Sequence, residues 1–427
     1  DGLKVVERFF SVPLDYANPE GQKIRIFARH IIPKAKAEKP EDEAKLPFCG
    51  PGFEVGLPSS RGYAGELHTK GYQTLWLDQR GTGLSTPLSP ETLPENVKTD
   101  EEIAQYLKHF RADNIVRDCE FIRKALLGNR ESPEDQKWTL MGQSFGGFCA
   151  ITYLSFYPWG IKEVFITGGL APLVDQPDVV YEALTHQVVK RNEVYYKKYP
   201  QDIKRVRNIL AYLDSNQVTL PSGGHLTPSR WLQVGMTFGR HGGIDSIHQL
   251  VFRASNDLAL FNKLSYKVLQ IFDHQQLDGN PLYAILHEPV YCQGKAANWS
   301  AARVIEQHHQ FSWQKMKAQA DTAPIFPDMF DDYANLRPWK GAAEILARDA
   351  SWAPVYDLEQ LAKNEVKVSA VTYFNDMFVE FNFAQHTAAK IKNTEQYITN
   401  QLVHDGIHED AGDVMKKLFK MSKREFD

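Results

Sequence analysis

The sequence predicts an α/β fold: a mostly parallel central sheet with helices on both faces, interrupted by an inserted helical cap domain. Three observations predict it. Short apolar runs of strand length alternate with helical patterns between Thr74 and Thr167. After about Pro172 the pattern is mostly helical, rich in Tyr, Gln, His and Trp, as far as about Arg348. Strand signals then return at Val366. The implied organisation is a first core segment over 1–171, a helical cap over 172–349 and a second core segment over 350–427.

The opening reads as strands. Glu7 to Leu14 is an apolar-rich run, and Lys23 to Ile32 alternates, with Ile24, Ile26 and Ala28 on one side. Pro33 to Lys45 is charged and reads as a surface connector. Thr74 to Leu77 is the next strand, closed by a polar turn from Asp78 to Ser85. Ile115, Cys119, Ile122 and Leu126 recur at helical spacing. Trp138 to Met141 is a strand, Phe148 to Phe156 an apolar helix that Pro158 closes, and Val164 to Thr167 another buried strand. Beyond the insertion, Val366 to Tyr373 and Glu395 to Asn400 complete the strands.

Composition narrows the function classes. With 427 residues, 43% of them apolar, the chain can bury a large core. A net charge of −4 gives no broad electrostatic case for nucleic acid or an anionic membrane. No apolar run approaches the roughly 18–20 residues of a membrane span. Asp1 to Arg8 is charged and lacks the apolar stretch of a signal peptide. Cys49, Cys119, Cys149 and Cys292 are scattered, without a CxxC pair, which favours a reducing compartment, the cytoplasm. None of the 14 His is spaced as in a metal site. Self-association is left open.

The chemistry centres on Gly142-Gln143-Ser144-Phe145-Gly146-Gly147, a Gly-x-Ser-x-Gly pattern. The pattern alone is weak. Here an apolar strand ends at Met141 and an apolar helix follows the glycines, the strand–turn–helix of a nucleophile elbow in an α/β-hydrolase fold. A strained turn lifts the serine hydroxyl above the sheet edge, where flanking side chains would clash and glycine is required. The Phe145 N–H would then face a developing oxyanion. The bland alternative is a Gly-rich turn with an incidental Ser.

In this fold the order is nucleophile, acid, His. Asp376 comes straight after the strand ending at Tyr373-Phe374, where it would orient an imidazole; its bland alternative is a turn or helix cap. His404 and His408 both lie beyond the last strand. His404 is favoured because Asp405-Gly406 behind it can form a tight turn, and His408 stays a rival base. His386, on an expected helix, reads as a surface residue.

These residues carry a resemblance. Phe10 to Tyr16, Gly50-Pro51-Gly52, Asp78-Gln79-Arg80-Gly81-Thr82-Gly83-Leu84-Ser85, the elbow at Ser144 and His404-Asp405-Gly406-Ile407 together resemble the proline iminopeptidases (prolyl aminopeptidases). The motifs span nearly the whole chain in the family order, and the Asp78 to Ser85 run is the most specific. The resemblance implies a serine aminopeptidase that releases N-terminal proline from small peptides through Ser144, His404 and Asp376, without metal or organic cofactor. It implies Gly50 N–H as the second oxyanion donor beside Phe145. His287-Glu288-Pro289-Val290-Tyr291 is similar to a cap motif whose Glu binds the substrate amine, which implies that role for Glu288; a solvated helix-end charge is the bland alternative.

Three departures accompany the resemblance. Leu46 to Cys49 is short for the central strand expected before Gly50. Thr322 to Pro327 lacks the family's Gly-Glu-Met-like stretch. His408 stands where the family usually has Arg. An esterase or amidase of the same fold, or a non-catalytic hydrolase-fold receptor, are the competing readings.

Overall fold

Eight strands form one sheet in the order β1-β2-β4-β3-β5-β6-β7-β8. They are β1 (Leu3–Pro13), β2 (Lys23–Pro33), β3 (Ala44–Phe48), β4 (Gln73–Leu77), β5 (Trp138–Gln143), β6 (Ile161–Thr167), β7 (Lys367–Tyr373) and β8 (Thr394–Thr399). This computed structural model describes residues 2–34, 54–57, 59–273, 277–308 and 327–424, and the main chain of 44–48. β2 is antiparallel to both of its neighbours, and every other pairing in the sheet is parallel. One reversed strand in a parallel series accounts for the alternating reading at the start and the βα rhythm after it.

The chain divides into two compact units: Asp1–Lys98 with Gln105–Leu173 and Ala353–Asp427, and Thr99–Ala104 with Val174–Trp352. The sheet lies wholly in the first unit. Its two faces follow from the period of two along each strand. On one face Met141, Phe165, Val371 and Tyr373 pack with Leu67 and with Val414, Met415, Leu418 and Met421. The helices Gly62–Thr69 and Ala411–Lys423 supply those partners. On the other face lies Phe145–Phe156, in which every residue but Phe156 is buried. A helix that is apolar all round needs cover on all sides. The amphipathic helix Ala112–Leu127 packs against it with Ile115, Cys119 and Ile122 buried.

The short run before Gly50 corrects an expectation. Main-chain pairing places Lys45 to Phe48 alongside Thr139 to Gly142, and Ala44 and Lys45 alongside Gln73 and Thr74. Five residues therefore suffice for a strand between β4 and β5. A strand residue needs its own main-chain groups satisfied, not a minimum strand length. Cys49, Gly50 and the stretch at 309–326 lie outside the described residues.

The second unit is helical. Asp178–Lys198, Asp202–Ser215 and Gly243–Phe261 are its longest helices among the described residues. Thr219 and His225 make an isolated bridge, and no strand occurs among its described residues. It also takes in Thr99–Ala104, because Asp100 sits against Gly341, where an added Cβ would collide with the carboxylate. No described helix is long and apolar enough to cross a membrane.

Candidate active site

The site grows out of the end of β5. Ser144 follows Gln143 with φ 55° and ψ −123°, a conformation L-residues rarely adopt. Main-chain bonds fix it: Ser144 N–H donates to Thr167 O at 3.0 Å, and Gly147 N–H donates to Ser144 O at 2.8 Å. The glycines give the room. A Cβ on Gly142 would collide with the Gly146 carbonyl, and one on Gly147 would collide with the Gly169 carbonyl. As the first residue of its helix, Phe145 has an N–H with no acceptor within that helix.

The candidate acid and base come from the far end of the chain. Asp376 follows β7, and its side chain is 1% exposed. Its Oδ1 accepts the N–H groups of Phe378 at 2.8 Å and Val379 at 3.1 Å. Its Oδ2 meets His404 Nδ1 at 2.8 Å. The turn-forming and imidazole-holding readings of Asp376 are thus not alternatives, since each oxygen serves one. His404 Nε2 lies 2.8 Å from Ser144 Oγ. A carboxylate can only accept, so Nδ1 carries the ring proton and the Nε2 lone pair faces the serine hydroxyl. His408 lies on the short helix Gly406–Glu409, its ring edge-on to Tyr63 at 5.7 Å between centroids. His386 is exposed on Phe381–Lys390.

Two neighbours of His404 escaped the reading of the sequence. Gln143 Nε2 donates to the His404 carbonyl at 3.2 Å. The Phe378 ring packs on the imidazole with centroids 4.7 Å apart and planes tilted 56°. Gln143 sits inside the elbow motif, yet nothing local says where its amide reaches. Phe378 gives no signal beyond following Asp376.

The Asp78 to Ser85 run serves the main chain. Asp78 is buried and accepts Val55 N–H and Leu84 N–H, each at 2.8 Å. Ser85 Oγ donates to Asp78 O at 2.6 Å and accepts Phe27 N–H at 2.8 Å. Arg80 is buried in a two-point pair with Asp118 at 2.7 and 2.6 Å and donates to the Pro13, Leu14 and His109 carbonyls. The motif thereby pins the chain at Val55, shortly after Gly50, to the end of β4.

In the helical unit, Glu288 is 5% exposed, which corrects the picture of a solvated charge. Its two oxygens accept Ser300 N–H at 3.0 Å and Ala301 N–H at 2.8 Å, at the start of Ser300–Glu306. Burial pushes its carboxyl up to about 7, against the pull of those two N–H groups. Next in sequence, the His287 imidazole is pushed down to about 4 by burial. Tyr181, Tyr283 and Tyr291 surround it, with ring centroids 6.3, 5.1 and 6.4 Å away.

A sheet in this order, with a serine in a strained strand-to-helix turn bonded to a late histidine, is the architecture of the α/β hydrolases. The family model for the alpha/beta hydrolase fold matches residues 50–219. A proline iminopeptidase of Aspergillus aculeatus is 42% identical over 426 residues, covering 98% of this chain and 93% of that protein. A proline iminopeptidase of Aeromonas sobria is 37% identical over 431 residues, covering 99% of this chain and 97% of that one. A tripeptidyl aminopeptidase of Streptomyces coelicolor is 23% identical over 212 residues, or 42% of this chain and 38% of that one. The chain belongs to the proline iminopeptidases, prolyl aminopeptidases built on the α/β-hydrolase fold.

Proposed function

We propose that the chain releases N-terminal proline from small peptides by acyl transfer through Ser144, with His404 as base and Asp376 as its orienting acid. The observation that carries this reading is the continuous hydrogen-bond chain from Asp376 Oδ2 through the imidazole to Ser144 Oγ, 2.8 Å at each link. His404 Nε2 takes the hydroxyl proton as Oγ bonds to the prolyl carbonyl carbon. Negative charge moves to the carbonyl oxygen, where the N–H groups of Phe145 and Gly50 receive it. Collapse breaks the amide bond, and the leaving nitrogen takes the proton from His404. Water, deprotonated by the same imidazole, then attacks the prolyl ester, releasing proline and returning the proton to Ser144.

Glu288 receives the substrate's ammonium group in this reading. Each of its oxygens accepts one N–H, and each keeps a lone pair for a further donor. An ammonium beside it would favour the charged carboxylate and offset its burial. Cytoplasmic residence suits the buried thiols of Cys119 and Cys149, neither of them in a disulfide.

Hydrolysis of proline-naphthylamide by wild type and by Ser144→Ala tests the reading, with the N-acetylated substrate alongside. Turnover of the free-amine substrate alone, lost in Ser144→Ala, is the expected result. Equal turnover of both substrates would instead indicate an esterase or amidase.

A further inference from the structure

We infer that Gln143 is a positioning residue that holds the main chain of the base, with Phe378 holding its ring. The inference rests on the reading of Ser144, His404 and Asp376 given above.

Proton transfer in two directions places conflicting demands on His404. Its Nε2 must leave the serine oxygen once it has taken the proton and then address the leaving nitrogen. During that interval the 2.8 Å contact with Ser144 cannot hold the ring. Asp376 holds Nδ1, but a single hydrogen bond leaves the ring free to pivot about it. Two contacts restrain what remains. The Phe378 ring lies 4.7 Å from the imidazole and limits its rotation. Gln143 Nε2 donates to the His404 carbonyl at 3.2 Å.

The placement of Gln143 is what makes its bond consequential. It is the last residue of β5, adjacent to Ser144, and paired in register with Thr167 of β6. The serine is bound to the same strand, through its own N–H to Thr167 O. Gln143 therefore refers the base loop to the sheet residues that fix the nucleophile. Any displacement of the loop relative to the elbow stretches this bond. A misplacement of about 1 Å can cost on the order of 100-fold in rate, so a single amide donor at this point acts on catalysis rather than on folding alone.

The test uses the full-length enzyme with Gln143→Met, which keeps the length and removes the donor. Gln143→Glu keeps the shape and offers no N–H, and it decides the matter if Gln143→Met fails to fold. Gln143→His restores a ring N–H at comparable reach. We expect kcat for proline-naphthylamide to fall roughly tenfold or more in Gln143→Met and Gln143→Glu, with KM within about twofold. The rate of Ser144 labelling by a fluorophosphonate should fall in parallel, and Gln143→His should recover part of both. The melting temperature reports folding separately. Unchanged kcat and labelling rate in a folded Gln143→Met or Gln143→Glu would overturn the inference, as would a loss confined to KM. Activity surviving in Ser144→Ala would instead overturn the underlying reading, whatever the Gln143 variants do.

Discussion

Gly147 lies against Gly169 so closely that a Cβ on Gly147 would collide with the Gly169 carbonyl oxygen. A Cβ on Gly169 would in turn lie 2.5 Å from the carbonyl oxygen of Ser144. The helix behind Ser144 is thus laid directly on the turn that leaves β6. The clash is with main chain, which cannot swing aside. Gly147→Ala should therefore destabilise the protein by about 1–3 kcal/mol and lower kcat, because relief of the clash moves the Ser144 turn. Urea denaturation and turnover of proline-naphthylamide measure the two effects.

Asp376→Asn should leave the fold nearly intact and disable the site. The Asn oxygen can still accept the Phe378 and Val379 N–H groups, but its amide would donate to His404 Nδ1. That turns the imidazole into the tautomer with its proton on Nε2, facing the serine. A loss on the order of 10⁴ in kcat is expected, the size found when a serine protease triad loses its carboxylate this way. A thermal melt close to that of wild type would separate this from unfolding.

Glu288 should make stability fall as pH rises. Burial holds its carboxyl at about 7 in the folded chain, against roughly 4.3 for an unperturbed Glu. Between those values the folded state binds more protons than the unfolded state, so unfolding free energy declines with pH across that window. The destabilisation is absent below the unfolded value and complete above about 7. Glu288→Gln lacks the titration, so its stability relative to wild type should rise from pH 4 to pH 8, by up to about 3 kcal/mol. Any fixed offset from the amide cancels in the slope. Urea denaturation across that range checks it, and a pH-independent difference would contradict the assignment.

Asp118→Leu should be strongly destabilising. Arg80 and Asp118 have side chains 0% and 1% exposed, and Tyr16 also donates to Asp118 at 2.8 Å. Removing the carboxylate strands a buried guanidinium, an effect of about 3–5 kcal/mol. A shift of the urea midpoint smaller than that of an exposed-pair variant such as Lys363→Ala would show that the pair does not brace the core.

Much of this site was legible because its pieces are local. Six contiguous residues carry the elbow, and the strand ending at Tyr373 points to Asp376. The order of elements puts the candidate base after the last strand. The residues 44–48 were harder, since a five-residue strand gains its place from pairing with β4 and β5 rather than from its own pattern. The Asp78 to Ser85 run was legible as a signature but not as a brace. Its partners, Phe27, Val55, Asp118 and the carbonyls of Pro13, Leu14 and His109, are scattered over the first third of the chain.

The sequence by itself determined the alternation of strands and helices, the helical middle and the elbow at Ser144 as the candidate site, with Asp376 and two late histidines as its candidate partners, because periodicity and turn chemistry act over a few residues. Tertiary structure alone decided which imidazole reaches the serine, why Gly147 must lack a side chain, and that Gln143 and Phe378 grip His404. Those outcomes depend on hydrogen bonds and packing between residues up to 261 positions apart. Directional contacts of a few ångströms leave no periodic trace along the chain, so they become readable only once the sheet has set its strands side by side.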